Sequence, residues 1–341
     1  MNILVTGGAG YIGSHTVVEI AKSGHTPIIV DDFRNSRESA VDGIESILGY
    51  RPTVHAGDCT DPTFVESVFS QESIDGIIHF AALKSVGESV ERPLPYYQNN
   101  IGSLVAVLEA ALRHGTKAFV FSSSATVYGE PDSNPIPETA PRKQATTPYG
   151  NTKQIGEDIL RDTAYASNGL LRSVSLRYFN PIGAHESGLI GELPIGVPNN
   201  LVPYVTQTAA GLRERLTIFG NDYPTPDGTC IRDYIHVVDL AKAHITTLEY
   251  LFSEDVNKPA YDVYNVGTGN GTSVQELIET FERETGVKVP HTVGPRRAGD
   301  VVVCYADPGK MNRELEWKAE FTTSQAMIDS WRWQRNLWFT S

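Results

Sequence analysis

Short apolar runs rich in β-branched residues punctuate the first half of the chain: NILVTG, TPIIVDD, TVHAGD, DGIIHFAA, KAFVFSSSA and RSVSLRYFN. Each has the length of a strand, and the chain between them is long enough for a helical crossover. Near-continuous apolar runs suit strands buried on both faces, so the alternation predicts a parallel sheet with helices on either side. VVEIAKSG and LVAVLEAALRHG carry the period of amphipathic helices, and each closes on a glycine, Gly24 or Gly115, suited to a left-handed C-cap.

Beyond about residue 180 the pattern changes to loops rich in Pro, Gly and Asn, such as NPIGAHESGLIGELPIGVPNN, with shorter helices such as SVQELIETFERETG. IHVVDLAKAHITTLEYL followed by YDVYNVG predicts one more helix and strand returning to the first sheet. The expected fold is α/β: a Rossmann-type doubly wound parallel sheet over residues 1–180, with a returning segment at about 233–267. Residues 181–341 are expected to form a smaller, discontinuous substrate-binding region. No internal repeat or low-complexity tract interrupts this organisation.

Composition narrows the function. The 341 residues exceed what one core usually holds, and 40% hydrophobic with 20% charged residues is an ordinary globular balance. No run approaches the ~20 apolar residues of a membrane-spanning helix. Met1 leads straight into NILVTGG without a basic leader, so no signal peptide is expected. Cys59, Cys230 and Cys304 lie far apart with no CxxC spacing, which argues against a zinc site and a disulfide framework and favours a reducing cytoplasm. A net charge of -13 without a Lys/Arg cluster longer than a pair makes nucleic acid an unfavourable partner. Any anionic ligand must then rely on a few placed arginines or on backbone N–H groups.

The first strand supplies such groups. It ends in TGGAGYIGSHTVVEIAKSG, with Gly7, Gly10 and Gly13 spaced for a tight strand-to-helix turn against a pyrophosphate. Asp31, closing the next strand, stands where a carboxylate receives adenine-ribose hydroxyls, and its charge repels a 2′-phosphate, selecting NAD over NADP. The bland alternative is a tight turn with Asp31 and Asp32 capping a loop. Asp58 is placed to meet the adenine, and Phe80, Ala81 and Ala82 pass the pyrophosphate side.

A second constellation lies in TTPYGNTKQIGEDILRDTAYA. Thr147 reads as an N-cap and Pro148 as the first helical residue, which puts Tyr149 and Lys153 on one face of a helix. An ammonium within ~4–5 Å favours a phenolate by roughly 3–4 kcal/mol at an effective dielectric of ~20. With help from a positive nicotinamide, a phenol poised near ~7 is expected. Upstream, Ser122, Ser123 and Ser124 end a strand at its ligand-binding edge, where Ser124 can pass a proton between a substrate hydroxyl and Tyr149. A lone YxxxK string is often accidental; the glycine turn and the serine strand give this one weight.

TGGAGYIGSH, HFAALKSVGESV, YYQNN, SSSATVYG, PYGNTK, LRYFNPIGAH, PNNLVPY, IFGNDYPTPDGTCIRDYIHVVDLA and PRRAGD together cover nearly the whole chain. On these motifs the sequence resembles the extended short-chain dehydrogenase/reductase family, and most closely its UDP-glucose (UDP-galactose) 4-epimerases. The resemblance implies tightly held NAD+ surrounded by Tyr11, Ile12, Asp31 to Ser36 (Asp32, Phe33 and Asn35 among them), Asp58, Cys59, Phe80 to Lys84, Asn99, Ser122, Tyr149, Lys153 and Phe179. It implies Tyr149, Lys153 and Ser124 as the catalytic set. Lys84, Asn180, Asn200, Leu201, Ile218, Phe219, Arg232, Arg297 and Asp300 would hold a UDP-sugar. The implied reaction oxidises the sugar at C4, lets the flat 4-keto sugar turn, and reduces it from the other face.

Arg232 and Arg297 suit the diphosphate because guanidinium groups grip phosphate in two-pronged fashion; otherwise either is a surface salt bridge. Relatives that exclude N-acetylated sugars carry tyrosine four residues after the aspartate of the RRxGD motif, whereas this chain has Cys304. The smaller side chain leads to the expectation that UDP-GlcNAc and UDP-GalNAc also fit, unless Cys304 is merely a small buried hydrophobe. The rivals are a nucleotide-sugar 4,6-dehydratase and a non-catalytic NAD-binding regulator. The first needs an acid after the serine position, where residues 124–126 read SAT; the second typically lacks the tyrosine or lysine. LVAVLEAALRHG and QIGEDILRDTAYA carry apolar residues on more than one side, and the resemblance implies a homodimer through them.

Overall fold

The computed structural model describes residues 1–253, 258–297 and 300–339. The first half alternates strand and helix: β1 (Asn2–Thr6), α1 (Tyr11–Lys22), β2 (Thr26–Asp31), α2 (Glu38–Leu48), β3 (Thr53–Ala56), α3 (Pro62–Gln71) and β4 (Gly76–His79). It continues with α4 (Val86–Glu91), α5 (Pro93–His114), β5 (Ala118–Ser124), α6 (Pro148–Ala166) and β6 (Arg172–Tyr178). The second half holds β7 (Asn180–Ile182), α7 (Leu201–Ala209), β8 (Leu216–Phe219), β9 (Ile231–Arg232), β10 (Tyr234–His236) and α8 (Val237–Phe252). Then come β11 (Tyr261–Val266), β12 (Thr272–Ser273), α9 (Val274–Thr285), β13 (His291–Gly294), β14 (Val303–Cys304), α10 (Gly309–Glu314) and α11 (Thr323–Phe339).

Seven strands form one parallel sheet in the order β11-β6-β5-β4-β1-β2-β3. The apolar strand residues divide between two cores, as a sheet covered on both faces requires. Ile3, Val5, Ile29, Ile78 and Val120 pack with α1 and α8 on one side. Leu4, Ile28, Ile77, Phe119 and Phe121 pack with α3, α5 and α6 on the other. Gly24 (φ 80°) and Gly115 (φ 72°) take the left-handed conformation where α1 and α5 end.

The sheet direction of chain progress reverses between β1 and β4, and a doubly wound fold binds ligands at the carboxyl edge of such a switch point. Above that edge stand short sheets from the second half: β7 with β10, β8 with β13, and β9 between β12 and β14. The first two share a third core with α7, α9 and α11, centred on Leu277, Phe281 and Met327. Among the described residues no helix is long and apolar enough to cross a membrane.

Candidate active site

The β1–α1 turn admits only glycine at two of its positions. A Cβ on Gly7 (φ 72°) would sit 2.9 Å from the Ala81 amide nitrogen, and one on Gly13 would sit 2.2 Å from the Gly7 carbonyl oxygen. α1 begins at Gly10 without a side-chain cap, so its first-turn N–H groups, those of Tyr11, Ile12 and Gly13, are presented at the sheet edge. That is the surface a pyrophosphate needs. Asp31 closes the turn from the side: its carboxylate accepts from the Ala9 N–H (2.9 Å), the Phe33 N–H (2.9 Å) and the Ser36 hydroxyl (2.7 Å). Asn35 is exposed in the same loop.

Asp58 stands at the end of β3, accepting from Thr60 and bridged at 2.5 Å by Arg34, which also meets Asp32 at 2.6 Å. Cys59 is buried in the core under α5, and burial pushes its thiol well above the usual range, so its side chain contributes packing rather than chemistry. Past β4, the loop carrying Phe80, Ala81, Ala82 and Lys84 is braced by Asn100 of α5, whose side chain pairs with both the N–H (2.8 Å) and the carbonyl (3.0 Å) of Leu83. Asn99 donates to Asn100 at 3.0 Å. Tyr11 donates to the Gly183 carbonyl at 2.7 Å, tying the turn to the second half.

At the carboxyl end of β5 the predicted triad meets. Thr147 caps α6, its hydroxyl accepting from the Gly150 N–H, with Pro148 at the first helical position. Lys153 Nζ donates to the Ser122 carbonyl at 2.6 Å and lies 5.8 Å from the centre of the Tyr149 ring. The Ser122 hydroxyl is hydrogen-bonded to Tyr178. One expectation is corrected. The lysine does not by itself lower the phenol: burial pushes Tyr149 up to about 12, with a hydrogen bond from Ser124 acting the other way, so a value near ~7 falls to the nicotinamide's charge to supply. Burial likewise drives Lys153 down to about 7, only partly offset by Glu157. The ammonium is turned to the Ser122 carbonyl rather than to the phenol oxygen, so the two groups are governed by desolvation more than by each other.

The second half contributes the facing wall. Phe179 is buried beside Val127, Tyr128 and Ala306, and Asn180 opens β7 in an exposed position with its N–H on the Asp233 carbonyl (3.0 Å). Arg232 is paired in register with Cys304 across β9 and β14. Asp300 stands between the two expected phosphate grips, 2.8 Å from Arg297 and 3.9 Å from Arg232. Arg297 lies over the exposed ring of Phe219 at 5.7 Å. The side chain of Ile218 instead belongs to the third core, and Leu201 packs against that core at the start of α7.

Sequence patterning did not single out Glu192. Its Oε1 accepts from Asn200 (2.6 Å) and from Lys84 (3.3 Å), linking two expected substrate residues across the cleft, and only a loop surrounds it in sequence. Asp233 was also silent; buried, it accepts from Thr268, Gly269 and Ala306 and so anchors the strand that carries Arg232. Tyr178 was the more visible miss, since it stands directly before Phe179 in LRYFN.

Residues 4–329 match the GDP-mannose 4,6 dehydratase family model. The chain is 51% identical to a UDP-glucose 4-epimerase of Bacillus subtilis, covering 98% of this chain and 97% of that one. It superposes on a UDP-glucose-4-epimerase of Stenotrophomonas maltophila, crystallised with NAD and formylated UDP-arabinopyranose, with a TM-score of 0.95, 49% identity and full coverage of both chains. A Bifidobacterium longum UDP-glucose 4-epimerase in complex with NAD+ and UDP gives a TM-score of 0.93 at 46% identity, over 98% of each chain. With the glycine turn, the Tyr149–Lys153 helix and the serine strand assembled on this sheet, the chain belongs to the UDP-glucose 4-epimerase family of extended short-chain dehydrogenases/reductases.

Proposed function

We propose that this chain interconverts UDP-glucose and UDP-galactose, through transient oxidation at sugar C4 with NAD+ held between turnovers, and so serves galactose metabolism. The observation that carries the reading is the convergence of Tyr149, Lys153 and Ser124 at the edge of β5, across the switch point from the glycine turn. The test is to incubate the purified protein with UDP-galactose and no added NAD. UDP-glucose should accumulate to equilibrium; no conversion sinks the proposal.

Bound NAD+ supplies a hydride acceptor for sugar C4 and a positive charge that favours the phenolate. The chain does the rest. The Gly7–Gly13 turn and the first N–H groups of α1 hold the pyrophosphate, and Asp31 receives the ribose hydroxyls while refusing a 2′-phosphate. Tyr149 takes the proton of the 4-hydroxyl, with Ser124 as relay, and gives it back after the sugar has turned. Lys153 keeps its charge near the phenol from its seat on the Ser122 carbonyl. Arg232, Arg297, Phe219 and Asn180 hold the UDP part, which leaves the hexose loosely bound, as a sugar that must present both faces requires. Dehydration is disfavoured because residues 124–126 read Ser-Ala-Thr and offer no carboxylic acid there.

The same reading extends to finer points. UDP-GlcNAc and UDP-GalNAc are further proposed substrates, since Cys304 is small and packs against the buried cluster that contains Phe179, beside Arg232 in the strand register. Residues 1–180 with about 233–267 would hold the dinucleotide, and the remainder of 181–341 the UDP-sugar. Three free cysteines suit a reducing cytoplasm. A homodimer through α5 and α6 completes the proposal.

A further inference from the structure

Three consecutive residues at the end of β5 each engage one side chain of α6. Ser124 reaches the Tyr149 hydroxyl, the Ser122 carbonyl takes Lys153 Nζ at 2.6 Å, and the Ser123 hydroxyl donates to Glu157 Oε1 at 2.6 Å. Tyr149, Lys153 and Glu157 are four residues apart, so they follow one another along one side of the helix. The first two carry the proposed chemistry, and the third has so far had no role.

Glu157 is 2% exposed, and the sheet holds it by more than Ser123. Arg177 stands opposite Ser123 in the β5–β6 register, so both side chains leave the sheet on the same face. Its Nε and Nη2 donate to the two Glu157 oxygens at 2.8 and 2.6 Å. Its Nη1 donates to the Tyr128 hydroxyl at 3.0 Å, and that hydroxyl donates to Asn265 of β11 at 2.7 Å. The network therefore ties α6 to three neighbouring strands.

Stability alone does not explain such a pair. Stripping two charges of water costs so much that apolar side chains of similar volume often stabilise a core as well or better. Apolar packing lacks direction, however, and a two-pronged ion pair has it. We propose that Glu157, locked by Arg177, is a positioning residue for the acid–base centre. It fixes the rotation and height of α6 over β5, so that Tyr149 stays on Ser124 and Lys153 on the Ser122 carbonyl. The inference rests on the roles given above to Tyr149 and Lys153.

Lys153 is faced by Tyr149 and Glu157 from its own helix and by His79 from β4, with Arg177 and Arg142 behind Glu157 and the Tyr178 hydroxyl on Ser122. Of these, Glu157 is the group that supports its ammonium. Glu157→Gln keeps the side-chain shape but removes that support, and leaves Arg177 unpaired. Glu157→Met/Arg177→Met removes both charges, which spares the fold an unpaired ion.

The holoenzyme and both variants, with isotope-labelled lysine, are titrated by NMR, the Lys153 signal being assigned through Lys153→Met, and kcat and KM are measured on UDP-galactose. In Glu157→Gln the Lys153 midpoint should fall by about one pH unit or more. In the double variant kcat should fall about tenfold or more with KM within about twofold and the melting temperature little changed, as expected when geometry at the reacting atoms is lost but binding is not. A parent-like kcat and pH profile in the folded double variant, or an unmoved Lys153 midpoint in Glu157→Gln, overturns the proposal. A parent protein with no turnover sinks the proposed function instead, and the Lys153 titration then decides this inference by itself.

Discussion

At the scale of single residues, the site joins groups whose ordinary chemistry is changed by burial. Tyr149, held up near 12, is a proton donor at neutral pH until a positive charge arrives beside it, so its protonation and the cofactor's redox state are linked. Tyr149→Phe should lower kcat on UDP-galactose by roughly 10²–10⁴, the usual worth of a positioned acid–base group. Near-parent turnover would remove the phenol from the mechanism. Cys304 makes a different prediction. Cys304→Tyr should suppress turnover of UDP-GlcNAc while sparing UDP-glucose, measured as the ratio of kcat/KM values. An unchanged ratio would return Cys304 to the status of core filler.

At the scale of elements, sequence legibility followed physical cause. The strands of the main sheet and the helices α1, α8 and α9 showed in the sequence because their apolar periods are set by local burial, and the Thr147-Pro148 start of α6 because capping is a local matter. Arg232 and Cys304 could be named as residues, yet their adjacency could not, since it depends on two-residue strands that only tertiary pairing creates. Glu192 has no local signal at all. Its role arises from where a loop crosses the cleft. The lysine's share in the pKa of Tyr149 is illegible for a similar reason: helical spacing fixes that Lys153 is near, but the Ser122 carbonyl decides where its ammonium points. Helix α5 also bears on assembly. Leu94, Ile101, Val105 and Leu112 fall at i, i+7, i+11 and i+18, a single stripe, with Leu94, Val105 and Leu112 exposed. If the proposed homodimer forms through this stripe, the parent should sediment as a dimer and Val105→Glu/Leu112→Glu as monomers in sedimentation velocity; a parent monomer refutes the interface.

For the whole molecule, buried imidazoles set the response to acid. Burial lowers His15 and His79 to about 3 and His244 to about 4, from an ordinary 6.5. Among the described residues each finds no hydrogen-bond partner for its Nε2, so protonation would place an unsatisfied charge in the core. The folded form binds these protons more weakly than the unfolded form. Their stabilising contribution is thus present above pH 6.5 and is lost as pH falls toward 4 and 3. Lys153, lowered from 10.5 to about 7, acts in the same direction over the window from 10.5 down to 7. The melting temperature should fall from pH 6.5 to 4, and His244→Leu should flatten that fall; an equally steep fall in the variant would count against the assignment.

The strand order carries one more consequence, for how such a chain is made. β1 leaves the ribosome first and ends in the middle of the sheet; β2 and β3 then extend one flank, and β4, β5, β6 and β11 extend the other in turn. Every newly synthesised strand thus meets an open flank, and none must be threaded between two already joined. The first six strands, β1 to β6, can therefore pair during translation, while Arg232, Arg297 and Cys304 emerge later, the first of them above a sheet that lacks only its last edge strand.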